Sequence, residues 1–283
     1  MSMNEHKITD SLFSEFAHKL QEDERSSGTI QNYLRHIKAF HTWAGEIAVT
    51  KELVTVWKDQ LISQNYCFGT INTMLVSLNR FFEFLGWEEC KVKTLRIQRR
   101  LFREDSKELN KAEYHRLLST AQHLGKTRLM LLMETICATG IRVSEVKYIT
   151  VEALRQKRTE IRLKGKIRTI LVPEKLCRKL LQYCRKQKIF SGEVFLTRTG
   201  KGLTRKQIWA EMKAVCKEAR VEASKVFPHN LRHLFARTFY KVCHDVAKLA
   251  DVLGHSSIET TRIYLISTGT EHAQTMARLG LVE

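Results

Sequence analysis

The chain has 283 residues, with 48 Lys and Arg against 30 Asp and Glu, a formal charge of +18 at pH 7. That length allows two domains with a core each, and the cationic excess favours nucleic acid as a partner, although a basic surface can also serve solubility alone. No apolar run approaches the ~20 residues that span a bilayer, and seven scattered cysteines without a CxxC pair suggest neither a disulfide framework nor a cysteine-rich zinc site.

The polar start MSMNEHKITDSLF is unlike a signal peptide, so a cytoplasmic, nucleoid-associated protein is expected. The first ninety residues read as helices. Ile30, Tyr33, Leu34, Ile37, Phe40 and Trp43 make one apolar stripe, and Ile71, Met74, Leu75, Leu78, Phe81, Phe82 and Leu85 make a second that Gly86 ends. The polar faces carry Gln31, Asn32, Arg35, Lys38, Asn72 and Arg80, which suit base edges and phosphates or simply a solvated surface. Lys91, Lys93, Arg96, Arg99, Arg100 and Arg103 then crowd a stretch with no apolar face. That suits a linker lying along phosphates or a plain flexible one. Residues 1–90 are thus expected to form a helical DNA-binding domain, 91–108 a basic linker and 109–283 a second domain, which opens on a helix capped by Asn110.

The second domain reads as mainly helical with one small β-hairpin. TEIRLKGKIRTILVP alternates about a turn at Lys164–Gly165–Lys166. The stretch GEVFLTRTGKGLTRKQIWAEM suggests a short strand, a glycine turn and a helix. Its GKGLT lacks the spacing of a phosphate-binding loop, so nucleotide hydrolysis is rejected.

Four short motifs carry the chemistry. In CATGIRVSEVKYIT, Arg142 and Glu145 are three apart, an orienting pair or an ordinary surface ion pair. The hairpin tip offers Lys164, with Lys166 as its competitor, though loop lysines are usually just solvated. In PHNLRHLFARTFY, Leu231, Leu234, Phe235 and Phe239 make an apolar face and leave His229 and Arg232 on another. His229 and His233 are four apart, but without an accompanying Glu or Cys no metal site is expected. In LGHSSIETTRIYL, Gly254 ends a helix, Ser256 and Glu259 read as a capping box, and the new helix carries Tyr264. That tyrosine is either a half-buried aromatic or a nucleophile.

Taken in order, ATGIRVSE, the hairpin lysine, HNLRH and LGHSSIETTRIY resemble the tyrosine recombinase (phage integrase) family, most of all its compact Xer-like members. The steps of three residues from His229 to Arg232, twenty-three to His255 and nine to Tyr264 fit that family's pattern. The likeness covers about Leu109 to Tyr264 and extends more loosely to the N-terminal helices, which look like the family's SAM-like core-binding domain. The hairpin departs from it, since Leu163 stands where a glycine is usual before the lysine.

The resemblance implies a fold, mainly α with a small β-hairpin, in which two domains clamp duplex DNA. It also implies a strand transfer without metal, ATP or cofactor. Arg142 and Arg232 would hold the non-bridging phosphoryl oxygens, His229 would act as acid/base and His255 would donate to the phosphate. Lys164 would protonate the departing 5′ oxygen, Glu145 would support Arg142, and Tyr264 would attack to form a 3′-phosphotyrosyl link. A tyrosine hydroxyl, with a pKa of ~10, is a poor nucleophile at pH 7, so that help is needed. The bond energy kept in the link allows rejoining without ATP. Partners would be double-stranded DNA with an inverted-repeat core site and, through the tail TEHAQTMARLGLVE with Ala273, Met276 and Leu279 along one side, a homotetramer or a paired recombinase resolving a Holliday junction. That tail can alternatively fold back on its own domain. A DNA-binding regulator on the same fold should lack Tyr264 or an arginine, and this chain lacks neither; a type IB topoisomerase-like enzyme would relax supercoils as a monomer.

Overall fold

The apolar stripes of the N-terminal third become four helices: α1 (Asp10–Glu22), α2 (Ser27–Ala44), α3 (Lys51–Ser63) and α4 (Phe68–Leu85). The computed structural model describes residues 6–97, 107–163, 166–264 and 276–279. Two compact units divide the chain, Met1–Arg99 and Arg100–Glu283.

In the first unit Ser26 and Thr50 cap α2 and α3 by accepting the N–H of the residue three on, and Gly86 ends α4 at φ +73°. The buried stripes meet as an aromatic core, with Phe16 edge-on to Phe81 at 5.2 Å and Phe40 edge-on to Trp57 at 5.1 Å. Asn72 is not free to read base edges. Its amide donates to the Leu95 carbonyl at 2.9 Å and accepts the Leu95 N–H at 2.7 Å, tying the departing chain to α4. Asn79 does the same at Val92. A buried backbone group needs a partner, and these two amides supply it where no sheet does. Arg80 is engaged too, by Glu83 at 2.8 Å and Asp23 at 3.4 Å, whereas Arg35, Lys38 and Arg96 are exposed. Arg99, Arg100 and Arg103 lie outside the described residues.

The second unit starts with α5 (Lys111–His123), where Asn110 and Glu113 exchange the two hydrogen bonds of a capping box. There follow α6 (Thr127–Thr139), a 3₁₀ turn at Val143–Tyr148, α7 (Val151–Gln156), the strands β1 (Arg158–Leu163) and β2 (Lys166–Leu171), and α8 (Glu174–Lys186). The last helices are α9 (Arg205–Lys213), α10 (Pro228–Cys243), α11 (Val246–Leu253) and α12 (Ile258–Arg262). The strands pair antiparallel from Arg158 opposite Leu171 to Leu163 opposite Lys166, the hairpin read from the alternation.

No strand forms in GEVFL. Glu193 and Leu196 make only single bridges, to Thr150 and Gly202. The piece is pinched between Gly192 and Gly200 at φ +73° and +75°, and Val194 and Phe195 are both buried, so no alternating face exists for a ladder. Among the described residues, no helix is long and apolar enough to cross a membrane.

The core of this unit gathers α5 to α10 around Leu132, Ile136, Leu180, Met212 and Leu231, all fully buried. Helix α10 leans on α6, and α11 leads into α12 beyond it. A smaller cluster of Ala236, Leu249, Leu253 and Tyr264 closes that end.

Candidate active site

Helix α10 supplies one side of the site because Pro228 opens it at a position where a missing N–H costs nothing. One helical turn then brings His229 and Arg232 together, and Leu231, Leu234 and Ala236 face the core. Arg232 is 2% exposed and held from three directions. It donates to the carbonyls of Gly140, at the end of α6, and of Leu253, at the end of α11, the latter at 2.7 Å, and to His255 Nε2 at 2.9 Å.

A guanidinium has no acceptor, so Nε2 of His255 must be unprotonated. Its proton sits on Nδ1 and goes to Thr261 Oγ1 at 2.9 Å, which fixes the tautomer. Burial, reinforced by Arg232, Arg142 and Arg168, pushes His255 down to about 4. His229 is pushed down to about 4 as well, by burial first and then by His233, Arg232 and Arg142.

Arg142 precedes the 3₁₀ turn and is not on an α-helix, yet the spacing of three still places Glu145 against it. Glu145 accepts the Arg142 N–H at 2.8 Å and its guanidinium at 3.0 Å. This is no surface ion pair, because Glu145 is 1% exposed. Arg142 itself stays open to solvent and reaches the Gly254 carbonyl at 3.4 Å.

Two features of the last motif differ from the sequence reading. The cap of α12 is Ser257, which accepts the Glu259 N–H at 3.2 Å, and not Ser256. The helix is only five residues long, so the box spacing of three from Ser256 starts one residue too early. Nor does that helix carry Tyr264, which lies in the turn two residues beyond its end at Arg262. Its ring is 3% exposed within the Ala236–Leu249–Leu253 cluster, lies parallel to His255 at 5.7 Å and meets His233 edge-on at 4.5 Å. Its hydroxyl lies near Arg232, and that proximity partly offsets the lowering of the guanidinium by burial.

The structure thus gathers Arg142, His229, Arg232, His255 and Tyr264 on one cavity of about 400 Å³. Lys164 lies outside the described residues, as does Ala273, and Met276 and Leu279 are exposed. Two further arginines escaped the sequence reading. Arg205, the first residue of α9, lines the same cavity. Arg168 on β2 donates to both oxygens of Glu145. Its signal was present, since Arg168, Ile170 and Val172 share the inward register of the strand, and a cation there demands a buried partner.

Arginines outnumber carboxylates here, and both histidines are neutral in the free protein. The cavity is therefore built for an anion, with fork-shaped donors around a tyrosine hydroxyl. Residues 107–271 match the phage integrase family, and residues 13–89 match the phage integrase N-terminal SAM-like domain. The chain belongs to the phage integrase family. Among relatives of known identity, the tyrosine recombinase XerA of Pyrococcus furiosus is 27% identical over 99% of this chain and 98% of its own length. The fold is shared with the Tn1549 transposon integrase in complex with transposon right end DNA (TM-score 0.73, 16% identity, 96% of this chain and 99% of that one). It is shared too with a lambda integrase tetramer bound to a Holliday junction (TM-score 0.71, 16% identity, 91% and 77%).

Two expectations follow for this phage integrase relative. Both histidines sit below their ordinary 6.5, so the unfolded chain takes up their protons first as pH falls. The stability that depends on keeping them neutral is complete above about 6.5 and lost progressively toward 4. Urea midpoints at pH 7.5, 6 and 5 should fall in that order, with a shallower slope in His255→Gln. The second concerns Gly254, at φ +64°, where a Cβ would stand 2.3 Å from Arg168 Cδ. Gly254→Ala should cost about 2 kcal/mol from backbone strain alone. The contact adds to that, and a urea midpoint unchanged from wild type would refute the crowding.

Proposed function

We propose that the chain is a site-specific tyrosine recombinase that cuts and rejoins duplex DNA through a 3′-phosphotyrosyl link at Tyr264. The observation that carries this is the placement of one tyrosine hydroxyl beside Arg232 in a cavity shared with Arg142, His229 and His255. In the reaction, the Tyr264 oxygen bonds to phosphorus and the bond from phosphorus to the 5′ oxygen breaks. His229, neutral at pH 7, accepts the tyrosine proton, and Lys164 returns one to the departing oxygen. Arg142 and Arg232 neutralise the charge on the non-bridging oxygens as it builds up. His255 becomes a donor once an incoming phosphate supplies the negative charge that favours its protonation.

Two guanidinium forks do the work a metal ion would do, and the phosphotyrosyl link stores the energy for rejoining. The reaction accordingly needs neither metal nor ATP. The further reading is that four protomers act together on inverted-repeat DNA, joined through the C-terminal tail; the lambda integrase tetramer bound to a Holliday junction supports its tetrameric part. Residues 1–90 are proposed as the core-binding domain and 91–108 as the linker.

Covalent trapping tests the proposal. The protein is incubated with nicked duplex fragments of its source genome in EDTA and without ATP, then quenched in SDS. A protease-sensitive protein–DNA adduct is expected, and sequencing its DNA gives the site. Salt-sensitive DNA binding with no adduct would instead support a regulator on this fold.

A further inference from the structure

Arg168 is a buried cation that the strand-transfer scheme above does not use. It stands on the inward face of β2 and is 11% exposed. Its Nη1 donates to both oxygens of Glu145, at 3.0 and 3.3 Å, and its Nη2 donates to the Val252 carbonyl at 2.6 Å. Its aliphatic stem lies across Gly254, where only a glycine leaves room. Glu145 in turn holds Arg142, and Arg142 reaches the Gly254 carbonyl. The contacts close a ring from β2 through the 3₁₀ turn to the end of α11 and back.

The ring is electrostatically expensive. Arg168 faces Arg142 and Arg232, and burial together with those two cations pushes it down to about 10. An apolar side chain on the same strand face would avoid that cost. A carboxylate with one arginine partner takes it bidentately, both N–H groups on both oxygens. Here Arg168 occupies part of Glu145, so that Arg142 spends one Nη on the carboxylate, rests the other at 3.4 Å on the Gly254 carbonyl and keeps its solvent-facing N–H groups for an anion.

We propose that Arg168 is a positioning residue for phosphoryl transfer: by sharing Glu145 and anchoring Val252 it holds Arg142 and the Gly254–His255 turn in the geometry that receives a phosphate. The mechanistic part rests on the strand-transfer reading of the Tyr264 site; the anion-binding part does not. Without Arg168, Arg142 folds onto Glu145 and leaves the cavity.

The test has two arms. In the first, the free protein is titrated with orthovanadate and followed by the ring resonances of His229 and His255. Wild type should saturate, Arg168→Met should bind at least about tenfold more weakly, and Arg168→Lys, which restores the charge but not the fork, should fall between. In the second, adduct formation is timed on the duplex recovered by trapping. Arg168→Met should slow it about 30-fold with DNA binding within about twofold, the signature of an interaction used in the transition state. On the same duplex with a methylphosphonate at the cleaved position, one anionic oxygen is gone and the deficit should shrink to about threefold or less.

Wild-type vanadate affinity and cleavage rate in Arg168→Met, with only a lower melting temperature, would overturn the proposal and leave Arg168 a strut. So would a wild-type protein that takes no vanadate, because a clamp held in place must accept an oxyanion. An absent wild-type adduct, with the vanadate series as expected, would instead overturn the strand-transfer reading and leave the positioning of Arg142 supported.

Discussion

Tyr264→Phe will lose the covalent DNA adduct by a factor of at least ~10⁴ while binding DNA within about twofold of wild type. The substitution removes one oxygen and nothing else. The ring stays packed against Ala236, Leu249 and Leu253 and parallel to His255, so the local fold has no reason to change. Only the hydroxyl's polar contact with Arg232 is lost. Measured side by side, SDS-stable adduct and equilibrium binding separate the nucleophile from the binding surface. An adduct of undiminished yield in Tyr264→Phe would show that another residue attacks.

Arg232→Met should be damaging in two independent ways. Losing a preorganised donor to the phosphoryl oxygens should slow adduct formation by ~10²–10³ or more. Losing the guanidinium also orphans the carbonyls of Gly140 and Leu253, which end α6 and α11 in the interior. Each buried acceptor left unpaired costs about 1–3 kcal/mol, and relief from burying a charge returns part of that. A net loss of about 1–3 kcal/mol corresponds to a fall of roughly 3–10 °C in the melting temperature of a unit this size. Differential scanning calorimetry reads the second effect and single-turnover trapping the first. A variant as stable as wild type would mean that the two carbonyls find other donors.

The sequence displayed His229, Arg232, His255 and Tyr264 through spacing, because one helix and one turn-helix segment carry them and local geometry fixes their separations. Arg142 and Glu145 were readable for the same reason, even though a 3₁₀ turn replaces the helix; three residues bring side chains together in either form. What could not be read was tertiary. Arg168 meets Glu145 across 23 positions of chain and Val252 across 84, and only the packing of β2 against the end of α11 makes those contacts. The same applies to Asn72, whose solvated-looking place on α4 is covered by Leu95. Tyr264 was harder still. Its ring packs as the half-buried alternative requires, and its place on the cavity leaves the hydroxyl open to the role proposed for it.

The three anchors of Arg232 bear on how the molecule can be disarmed. A residue proposed to hold the phosphate that also ties α6, α10 and α11 together cannot be altered for one purpose alone. An inert version meant to occupy DNA as a competitor should therefore not be made at that arginine, where the loss of chemistry comes with a softer scaffold. It should be made at the tyrosine, where a single oxygen can be removed and the hydrocarbon left to fill its own space.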